Sequence, residues 1–228
     1  MKRPKHIAFV TVVGNIGVGK TTFAEKVAHR LGWKVFYENV ANNPYLPDYY
    51  ADMDRWSFHL QIYFLTHRFR AQLEIPRLNR SCIQDRSIYE DPEIFAYVLH
   101  RQGHLAHREY RTYLDLFRTL EPFLPQPDLF IYLRASTWTL LSRIRKRGRE
   151  FEKGITAEFL HELNLAYERW IRRLKVHHPV LIIDTDGFDI SRDEQQFEKM
   201  LTDMVAILRK RGKTGLRLPS SVSHPGAV

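Results

Sequence analysis

The 228-residue chain carries 35 basic and 26 acidic side chains, a formal charge of +9, with 44% hydrophobic and 13% aromatic residues. That content excludes a disordered chain, and the length gives room for one large α/β domain and not for a second independent core. A single cysteine, Cys82, excludes an intrachain disulfide, and no apolar stretch approaches a membrane span, so a soluble protein of a reducing, cytoplasmic compartment is expected.

The start, Met1-Lys2-Arg3-Pro4-Lys5 followed by apolar residues, imitates a secretory leader. The apolar run ends too soon, in a glycine-rich loop that a cleaved leader does not contain. A first strand is predicted over 6–13. It hands over to Gly14-Asn15-Ile16-Gly17-Val18-Gly19-Lys20-Thr21, a complete G-x-x-x-x-G-K-[ST] string, with Thr22 opening a helix predicted over 20–31 and capped by Gly32. In this strand–loop–helix setting the glycines let backbone N–H groups turn onto phosphate. The helix N-terminus adds its dipole, Lys20 a positive charge and Thr21 a hydroxyl ligand for Mg²⁺. Binding of a nucleoside triphosphate is expected.

The second strand, 34–37, runs into Tyr37-Glu38. A carboxylate one step beyond a buried strand and beside a phosphate loop can accept a proton from an attacking hydroxyl, or can be a plain loop acid. A long helix is predicted over about 53–75, ended by Pro76. Trp56, Phe58, Leu60, Ile62, Tyr63, Phe64, Leu65 and Phe69 leave it no clear polar face, so it is expected to be largely buried. Gln61 and Arg68 lie seven apart on one face. An amide and a guanidinium among aromatics suit a buried heterocyclic base, or form a satisfied interior pair.

The third strand, 80–84, leads to Asp85-Arg86-Ser87, where Asp85 can hold Mg²⁺ and Arg86 can pair with Glu38 or neutralise phosphoryl oxygens. Helices are predicted over 91–102 and 107–121. His104 and His107 between them imitate a metal pair, but with no accompanying carboxylate or cysteine they read as surface histidines. A fourth strand, 128–133, leads to Arg134 and a helix over 136–147. The basic run Arg143, Arg145, Lys146, Arg147, Arg149 follows, with Gly148 breaking the helix. It suits a lid over a triphosphate, and alone would be an ordinary solvated helix end. A helix over 156–176, a strand over 179–184 ending in Asp184-Thr185-Asp186, and a helix over 192–210 complete the pattern.

This alternation predicts a doubly wound, five-stranded parallel sheet of the P-loop NTPase type, flanked by helices and carrying the arginine-rich lid at about 143–154. Ligands then gather at the carboxyl ends of the strands. Residues 1–210 form one domain, and 211–228 read as a basic, solvated tail. Much of the excess charge lies in two runs, 143–149 and Arg209, Lys210, Arg211, Lys213 and Arg217, and the remainder is close to neutral, which argues against a nucleic-acid-binding face.

With these residues assembled, the chain resembles the deoxyribonucleoside kinase family, most closely its bacterial deoxyadenosine/deoxyguanosine kinase branch. The resemblance runs from the phosphate loop through Tyr37-Glu38-Asn39, Asn43-Pro44-Tyr45-Leu46, Arg55-Trp56-Ser57-Phe58-His59-Leu60-Gln61, Arg68, Asp85-Arg86-Ser87-Ile88-Tyr89-Glu90-Asp91 and Arg143…Arg147-x-Arg149 to about residue 186. It implies transfer of the ATP γ-phosphate to the 5′-hydroxyl of a deoxynucleoside, a purine first. By position, Glu38 is the base, with Arg86 orienting it, Lys20 on the phosphates and Asp85 with Thr21 near Mg²⁺. Gln61 reads the base edge with Arg68 and Asp91, between Trp56, Phe64 and Phe95. Tyr50 and Glu152 hold the sugar 3′-hydroxyl. Arg143, Arg147 and Arg149 cover the donor, with Asp184 at the fifth strand end beside it. A homodimer packed through the stretch Tyr110 to Phe123 follows by analogy. The rival reading, a thymidylate-kinase-like enzyme, places an arginine where this chain has Tyr37. A non-catalytic nucleotide-binding subunit is expected to show a damaged phosphate loop, which is not seen.

Overall fold

The structure, a computed structural model, describes residues 6–38, 43–213 and 216. Asn39 and the end of the basic run, Arg217, lie outside the described residues. The five apolar runs become strands β1 (Phe9–Val13), β2 (Lys34–Phe36), β3 (Cys82–Asp85), β4 (Leu129–Arg134) and β5 (Val180–Asp184). They form one parallel sheet in the order β2-β3-β1-β4-β5. β1 and β3 are buried throughout and β4 up to its last residue. The near-continuous apolar character of β1 and β4 is the signature of strands covered on both faces. The chain leaves β1 to one side through β2 and β3 and to the other through β4 and β5, so the crevice opens at the carboxyl end of β1.

Among the described residues eight α-helices pack around this sheet: α1 (Lys20–Leu31), α2 (Leu46–Ala51), α3 (Met53–Glu74), α4 (Ala96–Arg101), α5 (His107–Leu120), α6 (Thr137–Arg147), α7 (Ala157–His177) and α8 (Glu194–Lys210). Most follow the sequence periodicity closely. The short α2 has no counterpart in that reading, because six residues opening Leu46-Pro47 carry too few turns to show a period. The helix expected over 91–102 begins instead as a wide π turn, Asp91–Phe95.

α3 departs from the expected burial. Its buried residues are Ser57, Leu60, Gln61, Leu65, Arg68 and Gln72, a helical stripe that is mostly polar. Trp56, Phe58, Ile62 and Phe69 are only partly buried against the core. The helix thus turns hydrogen-bonding groups inward, toward the crevice, and leaves aromatics at the rim.

The described residues of the basic C-terminal run pack on the body. Lys213 Nζ donates to the Ile7 carbonyl at 2.7 Å and pairs with Asp128 at 3.2 Å, while Arg209 donates to the Leu216 carbonyl at 2.7 Å. Leu216 itself is buried. Residues 211–213 therefore belong to the folded body. His104 lies 2.5 Å from Asp54, and His107 packs beside His100.

Candidate active site

The phosphate loop is shaped by what its glycines must avoid. Gly14 has φ +146°, and a Cβ there would lie 2.5 Å from the Leu133 carbonyl oxygen; at Gly17, φ +81°, it would lie 2.8 Å from Ile144 Cγ1. Only glycine fits either position. Lys20 curls over the loop, donating to the Gly14 and Asn15 carbonyls at 2.8 and 3.0 Å. Burial, helped by the nearby Arg86 charge, pushes its amine down to about 8. The Asn15 side chain points away from the crevice. It donates to the Leu160 carbonyl at 2.9 Å and to Asn164 at 2.8 Å, both on α7, and accepts from the Ile16 amide at 2.7 Å. Residues 16–22 line a cavity of about 700 Å³, with Gly14 and Asn15 behind its wall.

β3 delivers the acidic end of the site. The Thr21 hydroxyl donates to Asp85 Oδ2 at 2.5 Å, while Asp85 Oδ1 is buried with no hydrogen-bond partner. Burial pushes the Asp85 carboxyl up, against the pull of Lys20. An unpaired carboxylate oxygen beside a hydroxyl, at the mouth of a phosphate loop, is a donor set that fits a hard divalent cation. Immediately after it Arg86 has φ +73°, the one non-glycine in the left-handed region among the described residues. That conformation costs about 1–3 kcal/mol and turns the guanidinium back across the sheet end. Arg86 lies 3.7 Å from the centre of the Phe95 ring and donates to both Glu38 oxygens at 3.2 and 3.3 Å.

Glu38 is the hub. Its Oε1 also accepts from Arg68, whose other terminal nitrogen donates to Asp91. Burial would raise the Glu38 carboxyl, but Arg86, Arg68 and Lys20 outweigh it and hold the group at about 2. Burial pulls Arg68 down, and Asp91 and Glu38 more than restore it. The resulting chain Asp91–Arg68–Glu38–Arg86 spans the floor of the cavity as alternating charges.

Beside this chain Gln61 faces the cavity, its side-chain oxygen buried without a partner. Phe64 packs under the Arg68 guanidinium at 4.6 Å, and Phe95 closes the other side. Tyr50 stacks on Phe151 at 6.1 Å between ring centres. Trp56, expected as a wall, is absent from the lining; it packs on Tyr45 and His59 with Arg55 over its ring. Tyr49 and Phe159 line the cavity without having been anticipated. Tyr49 lies on the unforeseen α2, and Phe159 on the α7 side of the loop after Gly154.

The arginines of the 143–154 segment divide. Arg147 makes a bidentate pair with the buried Glu152 at 2.7 and 3.1 Å, and Arg149 reaches the same carboxylate at 3.4 Å. Arg143 is committed to backbone and hydroxyl acceptors: Val18 at 3.3 Å, Thr185 at 2.6 and 3.0 Å, and Phe188 at 3.1 Å. It braces the phosphate loop against the segment after β5. Asp184, expected near the nucleotide, is turned to the exposed rim, where it accepts from Arg134 at 3.0 Å, and it does not line the cavity.

A phosphate loop facing a carboxylate–guanidinium floor is the geometry of phosphoryl transfer, and comparison with known proteins identifies which kind. Residues 10–209 match the deoxynucleoside kinase family profile. The chain belongs to the deoxynucleoside kinase family. It is 39% identical over 212 residues to a deoxyadenosine/deoxycytidine kinase of Bacillus subtilis, covering 92% of this chain and 97% of that one. A deoxyguanosine kinase of the same organism is 35% identical over 84% of this chain and 93% of the relative. Among solved structures, deoxyadenosine kinase from M. mycoides with dCMP and dCDP bound superimposes with a TM-score of 0.79 at 33% identity, covering 87% of this chain and 99% of the other. The same M. mycoides enzyme with bound dATP gives 0.76. The protein is therefore a deoxynucleoside kinase, an ATP-dependent phosphotransferase. In this kinase Tyr37 is exposed and offers no guanidinium for an acceptor phosphate.

Proposed function

We propose that this kinase phosphorylates the 5′-hydroxyl of deoxyadenosine in preference to deoxyguanosine and deoxycytidine, using ATP and Mg²⁺, in cytoplasmic nucleotide salvage. The observation that carries the reading is the buried Asp91–Arg68–Glu38–Arg86 chain lying between the phosphate loop and Gln61. The unpaired Gln61 oxygen and the Asp91–Arg68 pair offer an acceptor and a mixed donor–acceptor edge to a purine, and the relatives above act on deoxyadenosine, deoxycytidine and deoxyguanosine by name. Phe64 and Phe95 supply the apolar faces of the slot.

Tyr50 and Glu152 hold the 3′-hydroxyl at the far side. Glu38 accepts the 5′-hydroxyl hydrogen, and because Arg86 and Arg68 keep it a weak base, it aligns the nucleophile and takes the proton late. Lys20 and the loop amides of residues 14–22 hold the donor, with Arg147 and Arg149 swinging from Glu152 to close over it. Thr21 and Asp85 would hold Mg²⁺, which when bound neutralises charge on the β- and γ-phosphates. A homodimer is supported by exposed apolar side chains on the packed helices α3 and α5 and on the turn after α5: Leu73, Leu116 and Phe123.

The test is Gln61→Ala assayed for both substrates. The KM for deoxyadenosine is expected to rise by about tenfold or more, with the KM for ATP unchanged, since only hydrogen bonds to the base are lost. An unaltered deoxyadenosine KM would place the base elsewhere.

A further inference from the structure

Glu90 lies one residue before the π turn and is wholly buried, with no part in the cavity wall. Its Oε1 accepts from the Ser87 amide at 2.7 Å. Its Oε2 lies 2.6 Å from the Tyr167 hydroxyl oxygen and 3.4 Å from the Gly14 amide nitrogen. The same Tyr167 hydroxyl lies 2.8 Å from the Gly14 carbonyl oxygen. A phenol owns one proton, while a carboxylate and a carbonyl only accept. If Glu90 were ionised, one of those two short O···O contacts would hold no hydrogen.

We propose that Glu90 is a positioning residue of this kinase: as a neutral acid it donates to Tyr167, which donates in turn to the Gly14 carbonyl and fixes the head of the phosphate loop. In this arrangement the acidic hydrogen sits on Oε2. The Gly14 amide donates to the remaining Oε2 lone pair, and Oε1 receives Ser87. Every polar group in the cluster then has a partner.

Neither cation facing Glu90 hydrogen-bonds to it, although Arg86 Nε is buried without a partner. Arg86 Nε, on the turn after β3, is 3.8 Å away, and its terminal nitrogen is engaged by Glu38. Lys20, on α1, aims its amine at the Gly14 and Asn15 carbonyls. Asp91, the next residue, is paired with Arg68. On the α7 side stands Tyr167, with Tyr132 of β4 stacked on it at 5.7 Å. Burial pushes the Glu90 carboxyl up, against Arg86 and Lys20.

The consequence is mechanical. α7 grips the loop at two successive residues: Leu160 and Asn164 hold the Asn15 side chain, and Tyr167 holds the Gly14 carbonyl. Glu90 ties that grip to the turn that carries Asp85 and Arg86. The phosphate loop and the acidic turn are thereby held in one register.

The experiment uses the full chain and the variants Glu90→Gln, Glu90→Ala and Tyr167→Phe, measuring kcat, KM for ATP and KM for the deoxynucleoside substrate. Glutamine reproduces the two short contacts of the neutral acid, its amide donating to Tyr167 and its oxygen accepting from Ser87. It loses only the long 3.4 Å Gly14 contact, which an amide nitrogen cannot accept, so Glu90→Gln is expected to stay within about threefold of the parent in the KM for ATP. Tyr167→Phe and Glu90→Ala are expected to raise that KM about tenfold, as losing one satisfied buried hydrogen bond does, with the nucleoside KM little changed. Infrared difference spectra between parent and Glu90→Gln at neutral pH are expected to show the carbonyl stretch of a protonated carboxyl in the parent alone. Should Glu90→Ala not fold, Tyr167→Phe, which deletes one oxygen, and the infrared difference carry the test. The proposal is overturned if Glu90→Gln is as impaired as Glu90→Ala or Tyr167→Phe. It is equally overturned if no protonated carboxyl disappears, or if the variants melt lower with both KM values unmoved.

Discussion

Replacing Glu38 by glutamine (Glu38→Gln) removes the one negative charge shared by Arg86 and Arg68. The carboxyl is held at about 2 against an ordinary 4.5. At 1.36 kcal/mol per pH unit, that depression corresponds to about 3 kcal/mol of folding stability at neutral pH. The side chain is 10% exposed, so solvent screening removes little of it. The sign follows from the direction of the shift. A lowered carboxyl stabilises the fold fully above 4.5 and loses that stabilisation as the pH falls through about 2. Denaturant unfolding of the parent and Glu38→Gln should therefore differ by about 3 kcal/mol at pH 7, with the gap narrowing below pH 4.5 and closing toward pH 2. In the same variant kcat is expected to fall by about 10²–10⁴, the range for loss of a positioned acid–base group. A stability gap that does not change with pH would refute the charge-hub reasoning, whatever happens to turnover.

Asp85→Asn should raise the Mg²⁺ concentration needed for half-maximal activity by about tenfold or more, because the unpaired buried oxygen is replaced by an amide; an unchanged Mg²⁺ titration would remove Asp85 from the metal site. Arg143→Lys should raise the KM for ATP and also lower the melting temperature of the free enzyme by about 2–4 °C for each kcal/mol of brace lost. An arginine acting only over bound nucleotide would leave the free enzyme's melting unaltered. Lys213→Ala should destabilise the fold by about 1–3 kcal/mol through loss of the Ile7 and Asp128 contacts, with kinetic constants unchanged. Melting curves and steady-state assays on one preparation check both halves of that statement.

The parallel sheet and its helices were legible because buried strands read as apolar runs and the glycine punctuation at Gly14–Gly19, Gly32 and Gly148 is unambiguous. Most of the site was legible for a related reason: strand ends deliver Lys20, Glu38, Asp85 and Arg86 to one place in any sheet of this type. What escaped was carried by tertiary context. In α3 the sequence pointed to Gln61 and Arg68 but not to Ser57 and Gln72, whose burial rests on contacts with the Met53 carbonyl and with Tyr89 and the Pro125 carbonyl. Arg143 reads like Arg147 in sequence, yet the carbonyls of Val18, Thr185 and Phe188 converge on it alone. Trp56 and Asp184 sit one helix face and one strand edge away from the cavity. Glu90 passed as one acid in Tyr89-Glu90-Asp91, since its partners Gly14 and Tyr167 are 76 and 77 residues distant.

The most direct measurement is a substrate panel with ATP and Mg²⁺, following transfer of the labelled γ-phosphate to deoxyadenosine, deoxyguanosine, deoxycytidine, thymidine and thymidine monophosphate. The highest kcat/KM is expected for deoxyadenosine, with deoxyadenosine 5′-monophosphate as product and deoxyguanosine and deoxycytidine behind it. Preferential phosphorylation of thymidine or of thymidine monophosphate would contradict the purine-nucleoside site proposed at Gln61, Arg68 and Asp91.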